Sequence, residues 1–276
     1  MASDPRKAPL ARIVVIGVTG RMGQALLRAA PAFPQLLITG AVASSASLAL
    51  GRDAGEVAGL SPTNLVVTSD LTRALADADV AVDFSQAGAT AANVAACRAA
   101  HKPLLIGTTG LDAALEPAIQ AAAGEIALMV AANTSVAVAL LTELVRQSAA
   151  TLPATFDIDV LEIHHRGKRD APSGTALALG RAAAGARGLR SGIAPPAAGS
   201  ASQGRPEGQI GVTSLRAGDI VGEHTVLFSG PGEQLLLTHR ASDREIFARG
   251  ALAAALWLRS QPPGRYHMRD CIGYKT

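Results

Sequence analysis

Residues 161–180 read LEIHHRGKRDAPSGTALALG, and their types suit proton transfer beside a bound anion. His164 and His165 bring imidazoles, the side chains that exchange protons near neutral pH. Arg166, Lys168 and Arg169 follow at once, in a chain only 17% charged, where about 25% is ordinary. Ser173-Gly174-Thr175 then opens a helical pattern. Hydroxyls and unpaired N–H groups at a helix start receive anions, and Lys168 adds a full charge. Charge-assisted hydrogen bonds contribute roughly 1.5–3 kcal/mol each, so the cluster suits a carboxylated small molecule better than a neutral one. In a regular strand His164 and His165 point to opposite faces. Either one of them stands aside, or the strand is already turning there. The competing view is a solvated basic loop before a capped helix.

A second candidate is Gly17-Val18-Thr19-Gly20-Arg21-Met22-Gly23, between an apolar run and a helical pattern. Glycines there let backbone N–H groups approach a pyrophosphate at the positive end of a helix. The spacing is GxxGxxG, not GxGxxG, and no Lys-Ser/Thr pair closes it, which excludes a Walker A loop. Dinucleotide folds place an acid about 20 residues on, for the ribose hydroxyls. Here the chain has Ala43, Ser44 and Ser45 instead. Without the acid a 2′-phosphate meets no repulsion, which favours NADPH over NADH. Gly107-Thr108-Thr109 and Ala131-Ala132-Asn133-Thr134 end two further apolar runs. Open parallel sheets bind ligands at such strand ends, so both segments are candidate cofactor contacts.

These turns need a sheet to hold them. Unbroken apolar runs at 36–42, 65–68, 80–84, 104–107 and 126–131 alternate with alanine-rich helical segments. That alternation predicts a doubly wound, Rossmann-like parallel sheet covered on both faces. After residue 150 the pattern changes to strands at 158–165, 210–215, 223–229 and 234–239, three of them joined by tight turns. They predict a second, α+β domain with a mostly antiparallel sheet. A helix at 175–184 and a loop rich in Gly, Pro and Ser at 191–208 lie between its first two strands. Near the end, Ser242 and Glu245 have capping-box spacing, and Ile246, Gly250, Ala253, Ala254 and Trp257 share one helical face.

Composition narrows the function. Net charge is +3 and aromatics are 3%, so there is little to stack on bases and no nucleic-acid role is expected. No apolar run approaches the roughly 18 residues of a membrane span. Residues 1–10 lack an apolar signal core and read as a disordered tail. Cys97 and Cys271 stand alone, which fits reduced thiols in a cytoplasmic protein and no metal site.

In order along the chain stand GVTGRMG, VDFS, IGTTG, AANTS, EIHHRGKRDAPSGTA and RAGDIVGEHTVLF…HRASDREIFARGALAAALWL. Together, from about Arg12 onward, they resemble the bacterial dihydrodipicolinate reductase family of the diaminopimelate route to lysine. The HHxxKxDAPSGTA segment is specific to that family; the glycine turn is not. The resemblance implies a dinucleotide domain over 11–132, completed by the last helix within 242–276. It implies a substrate-binding and oligomerisation domain over 133–241, whose sheet builds a homotetramer. The reaction implied is NADPH- or NADH-dependent reduction of a cyclic unsaturated imine dicarboxylate. His164 then matches the proton donor and Lys168 its catalytic partner. His165, Gly174 and Thr175 match substrate contacts. Gly17 to Met22, Gly107 to Thr109 and Ala131 to Thr134 match cofactor contacts. Three departures stand out. Ala43 and Ser44 replace an acid and an arginine found in many members, Thr134 replaces a frequent phenylalanine near the nicotinamide, and the loop before Gln209 is short.

Overall fold

The computed structural model describes residues 10–189, 193–194 and 208–273. The expected tail, apart from Leu10, and most of the loop expected at 191–208 lie outside them. In chain order the first elements are β1 (Ala11–Ile16), α1 (Arg21–Ala29), β2 (Leu36–Val42), α2 (Ala54–Val57), β3 (Val67–Thr68), α3 (Leu71–Ala76) and β4 (Val80–Asp83). Then follow α4 (Ala87–Ala99), β5 (Leu104–Ile106), α5 (Glu116–Ala123), β6 (Ala127–Val130), α6 (Val136–Thr151), β7 (Asp157–His164) and α7 (Gly174–Ala186). The remainder is β8 (Ile193–Ala194), β9 (Ile210–Arg216), β10 (Gly222–Gly230), β11 (Glu233–Ala241), α8 (Glu245–Leu258), β12 (Gly264–Tyr266) and α9 (Met268–Cys271).

Two compact units result, Met1–Ser135 with Glu245–Thr276, and Val136–Arg244. In the first, seven strands run in the order β12-β6-β5-β4-β1-β2-β3. Every ladder among them is parallel. Strands β4 and β5 are buried along their whole length, which is why they read as unbroken apolar runs. Val14, Ile16, Leu75, Leu104, Ile106 and Leu128 centre one core. The strand expected at 65–68 shortens to Val67–Thr68, because its first half pairs elsewhere. Leu65 accepts from the Ala54 N–H and Val66 bridges Asp53.

Helix α8 departs from expectation at its start and in its phase. It begins at Glu245, so Ser242 lies outside it. Its buried residues are Ala248, Gly250, Ala251, Leu252, Ala254, Ala255 and Leu258, so Gly250 and Ala254 of the expected face are buried while Ile246, Ala253 and Trp257 are only half-buried. An alanine-rich helix has little contrast between faces, so packing sets its phase.

The second unit carries a five-stranded sheet, β11-β10-β7-β9-β8. It is mixed: antiparallel where β10 meets β11 and β7, parallel where β9 meets β7 and β8. Of the strands expected to be joined by tight turns, β10 and β11 pair as a hairpin, whereas β9 and β10 do not pair because β7 lies between them. Strand β9 runs parallel to β7 because α7 crosses between them. Leu141 and Val145 of α6 and Leu179 and Ala183 of α7 pack on Ile158, Val160, Val212, Val226 and Phe228. The opposite face of the sheet leaves Leu161, Leu215 and Leu236 exposed.

Candidate active site

Strand β7 ends at His164, which settles the question raised by two adjacent histidines. Residues 158, 160, 162 and 164 share the inward face, so Glu162 and His164 stand on the same side. His165 has left the strand. It lines an open depression of about 520 Å³ with Arg166, Gly218, Asp219 and Arg244. Its Nε2 lies 3.2 Å from the Arg244 guanidinium.

Glu162 sits at the centre of a hydrogen-bonded cluster. Its side chain is fully buried, and Arg216 grips both oxygens, Nη2 to Oε1 at 2.7 Å and Nη1 to Oε2 at 2.9 Å. The Ser173 N–H donates to Oε1 at 3.1 Å, and His164 Nδ1 donates to Oε2. Burial alone would raise this carboxyl, but Arg216, its other donors and His164 hold it at about 2. His164 titrates below the ordinary histidine value. Burial is the main cause, with Lys168 and Arg216 adding to it and Glu162 opposing.

Ser173 caps α7 through its side chain, accepting from the Ala176 N–H at 3.2 Å. The same hydroxyl lies 3.0 Å from His224 Nε2. Gly174 and Thr175 form the first turn of α7. A Cβ added at Gly174 would meet nothing within 4 Å, so internal packing does not demand glycine there. The open space suits a ligand lying against the helix start. Lys168 follows on the loop, its Nζ held by Asp170 at 2.7 and 2.8 Å. Arg216 also donates to the Asp170 carbonyl at 2.6 Å, tying that loop to the Glu162 cluster.

In the first unit the glycine turn is shaped for close approach. Gly17 has φ +83°, and a Cβ there would come 2.5 Å from the Phe84 carbonyl oxygen; one at Gly23 would come 2.3 Å from the Gly17 carbonyl oxygen. The Gly17 and Val18 N–H groups both bond the Val42 carbonyl, and the Val18 side chain is buried. These two positions therefore supply shape rather than donors. Thr19 accepts from the Gln24 amide through its carbonyl at 3.0 Å. Gly20 caps α1 without a side-chain bond, and no acid stands in the first turn beside Arg21 and Met22. That end of the helix suits a pyrophosphate. Ala43 is buried at the end of β2, and Ser44 is exposed beside it.

The other strand ends divide between scaffold and surface. Gly107 lies against the Phe84 ring, where a Cβ would come 2.2 Å from a ring carbon. The Thr108 hydroxyl turns inward to Asp83 at 3.3 Å, while Thr109 is exposed. Ala131 bonds Ile106 through its N–H, and Ala132 is exposed. The Asn133 side chain accepts from the Ser135 N–H at 2.9 Å. Thr134 is buried, its hydroxyl donating to the Phe247 carbonyl at 2.6 Å. The residues present fit a dinucleotide, with a glycine cradle beside an uncapped helix.

Two family models, dihydrodipicolinate reductase N-terminus and C-terminus, match residues 11–134 and 137–272. The chain belongs to the dihydrodipicolinate reductase family. The 4-hydroxy-tetrahydrodipicolinate reductase of Anaeromyxobacter dehalogenans is 45% identical over 267 residues, covering 96% of this chain and 99% of the relative. That of Rhodopseudomonas palustris is 45% identical over 271 residues, covering 95% and 97%. Dipicolinate-bound dihydrodipicolinate reductase from Paenisporosarcina has the same fold, with TM-score 0.75 at 21% identity, covering 94% and 97% of the two chains.

Within this member of the dihydrodipicolinate reductase family, sequence reasoning missed Glu162, Arg216, His224 and Arg244. Glu162 had a signal: a carboxylate two residues before His164 in a strand faces the same way. Arg216 and His224 had none, because they reach the site through the pairing of β9 and β10 with β7.

Proposed function

We propose that this reductase converts 4-hydroxy-tetrahydrodipicolinate to tetrahydrodipicolinate, with His164 as proton donor and Lys168 as its catalytic partner and carboxylate contact. The reaction consumes NADPH or NADH and a proton, and releases water and the oxidised cofactor. It belongs to the diaminopimelate route to lysine, a cytoplasmic pathway. The single observation that carries the residue assignment is the seating of His164 on a buried, ionised Glu162 beside the open start of α7.

The substrate is a small dicarboxylate. One carboxylate is received by Lys168, whose amine is held by Asp170 until substrate displaces it. The Gly174-Thr175 turn and His165 receive the remaining oxygens. Bound NADPH or NADH supplies the hydride, held by the Gly17–Met22 turn, Gly107–Thr109 and Ala131–Thr134, with Ala43 and Ser44 near the ribose. His164 delivers the proton, and the protein's share of the work is orientation and charge. The active particle is a homotetramer assembled through the exposed face of the second sheet.

The test is to mix purified protein, NADPH and freshly generated 4-hydroxy-tetrahydrodipicolinate, and to follow reduced-nicotinamide absorbance. Substrate-dependent oxidation is expected. Its absence, in protein that binds NADPH, overturns the proposal.

A further inference from the structure

We infer that Glu162 is the positioning residue for proton delivery, holding His164 with Nδ1 protonated and inward so that Nε2 serves the substrate. The inference rests on the reading of His164 as proton donor and adds which nitrogen acts and what fixes it.

An ionised carboxylate only accepts hydrogen bonds, so the nitrogen that faces it must carry a proton. Nδ1 faces Glu162 Oε2. Glu162 cannot turn away, because Arg216 holds both of its oxygens and the Ser173 N–H holds one of them again. The ring orientation is therefore set by three chain segments at once. The other ring edge carries no such partner. Gly222 on β10 lies beside it, and a Cβ there would come 3.1 Å from Nε2. No hydrogen bond joins Nε2 to another of the described residues. Neutral His164 is thus a single tautomer with a bare Nε2, and its imidazolium loses the proton from the side away from Glu162. The same carboxylate fixes the Ser173 cap of α7, so proton donor and carboxylate-binding turn share one anchor.

Charged and titratable groups face His164 from each neighbouring element. They are Glu162 on β7, Arg216 on β9, His224 on β10 with His239 beyond it on β11, and Lys168 on the loop. Of the charged groups, only Glu162 favours the imidazolium.

The first test is Glu162→Gln, assayed with both substrates across pH. A protonated donor is needed, so kcat/KM has an alkaline limb, and losing the carboxylate should move it to lower pH. kcat should fall about 10- to 100-fold, the range typical of partners that orient an active group. KM for NADPH should not change, and Glu162→Asp should restore part of the loss. If His164→Ala abolishes turnover while Glu162→Gln keeps the parent kcat and pH profile, the inference fails and the donor assignment stands. If His164→Ala turns over normally, the donor assignment fails instead. The second test needs no altered charge and no activity. NMR of imidazole nitrogens in histidine-labelled protein, with His164 assigned by its loss in His164→Gln, should show the neutral Nδ1–H tautomer. A neutral Nε2–H tautomer overturns the inference whatever the variants do.

Discussion

The imidazoles of His164 and His224 meet edge to face, their centroids 5.1 Å apart and their planes at 74°. Burial, helped by His164, pushes His224 down to about 4, so it is neutral at neutral pH. His164 itself lies below the ordinary histidine value, chiefly through burial. A proton donor with a lowered pKa loses activity as pH rises through that pKa. The expected kcat/KM profile of the free enzyme therefore declines with a midpoint below the ordinary histidine range. A rate that climbs with pH through the neutral range would contradict this.

Replacing His164 by Ala should lower kcat by about 10²–10⁴-fold, the usual worth of general acid catalysis, with NADPH binding intact. Lys168→Ala should lower kcat and also raise KM for the dicarboxylate, because a charged contact is lost. Steady-state kinetics with cofactor titration checks both. Near-parental kcat in the two variants would refute the assignment.

Gly250 of α8 lies under Thr134, where an added Cβ would come 1.8 Å from the carbonyl oxygen. Alanine is the better helix former by about 1 kcal/mol, so an open site would gain from the change. Here the clash dominates, and overpacking typically costs 1–3 kcal/mol. Gly250→Ala should lower Tm and the urea midpoint; an unchanged or raised Tm would show that Thr134 gives way freely.

On the outer face of the second sheet, Leu161 is 42% exposed, Leu215 54% and Leu236 56%. Strand register places Leu215 beside Ile163, and Leu236 beside Leu227. An uncovered face of this kind is an interface in waiting. Light scattering should report four chains per particle, and Leu161→Lys with Leu215→Glu should give smaller species. A stable monomer of the parent protein at micromolar concentration would rule out the assembly.

Ala43 follows β2 without a group to bond a ribose 2′-hydroxyl or to repel a 2′-phosphate. Activity is expected with both cofactors, with kcat/KM favouring NADPH. Ala43→Glu should shift the ratio toward NADH, mainly by raising KM for NADPH. If the parent strongly prefers NADH, or the ratio does not move, discrimination lies elsewhere.

Local spacing alone specified much of this molecule. Apolar runs of strand length alternating with alanine-rich segments gave the parallel sheet, because a strand covered on both faces must be apolar throughout. A hydroxyl cap for α7 was likewise legible as Ser173 or Thr175, since a hydroxyl before a helical pattern satisfies N–H groups a few residues away, and the fold uses Ser173. The crowding of His164, Lys168, Gly174 and Thr175 marked the candidate site for the same reason: they are neighbours along the chain. Tertiary structure decided what those residues touch. Arg216 reaches Glu162 across 54 positions because β9 pairs with β7, and His224 arrives because β10 pairs on the other side. It also turned the Thr108 and Thr134 hydroxyls inward and committed the Gly17 and Val18 N–H groups to Val42. It set the phase of α8 as well. Such contacts depend on strand register and helix rotation. Those are fixed by packing summed over a whole unit, which no short stretch of sequence contains.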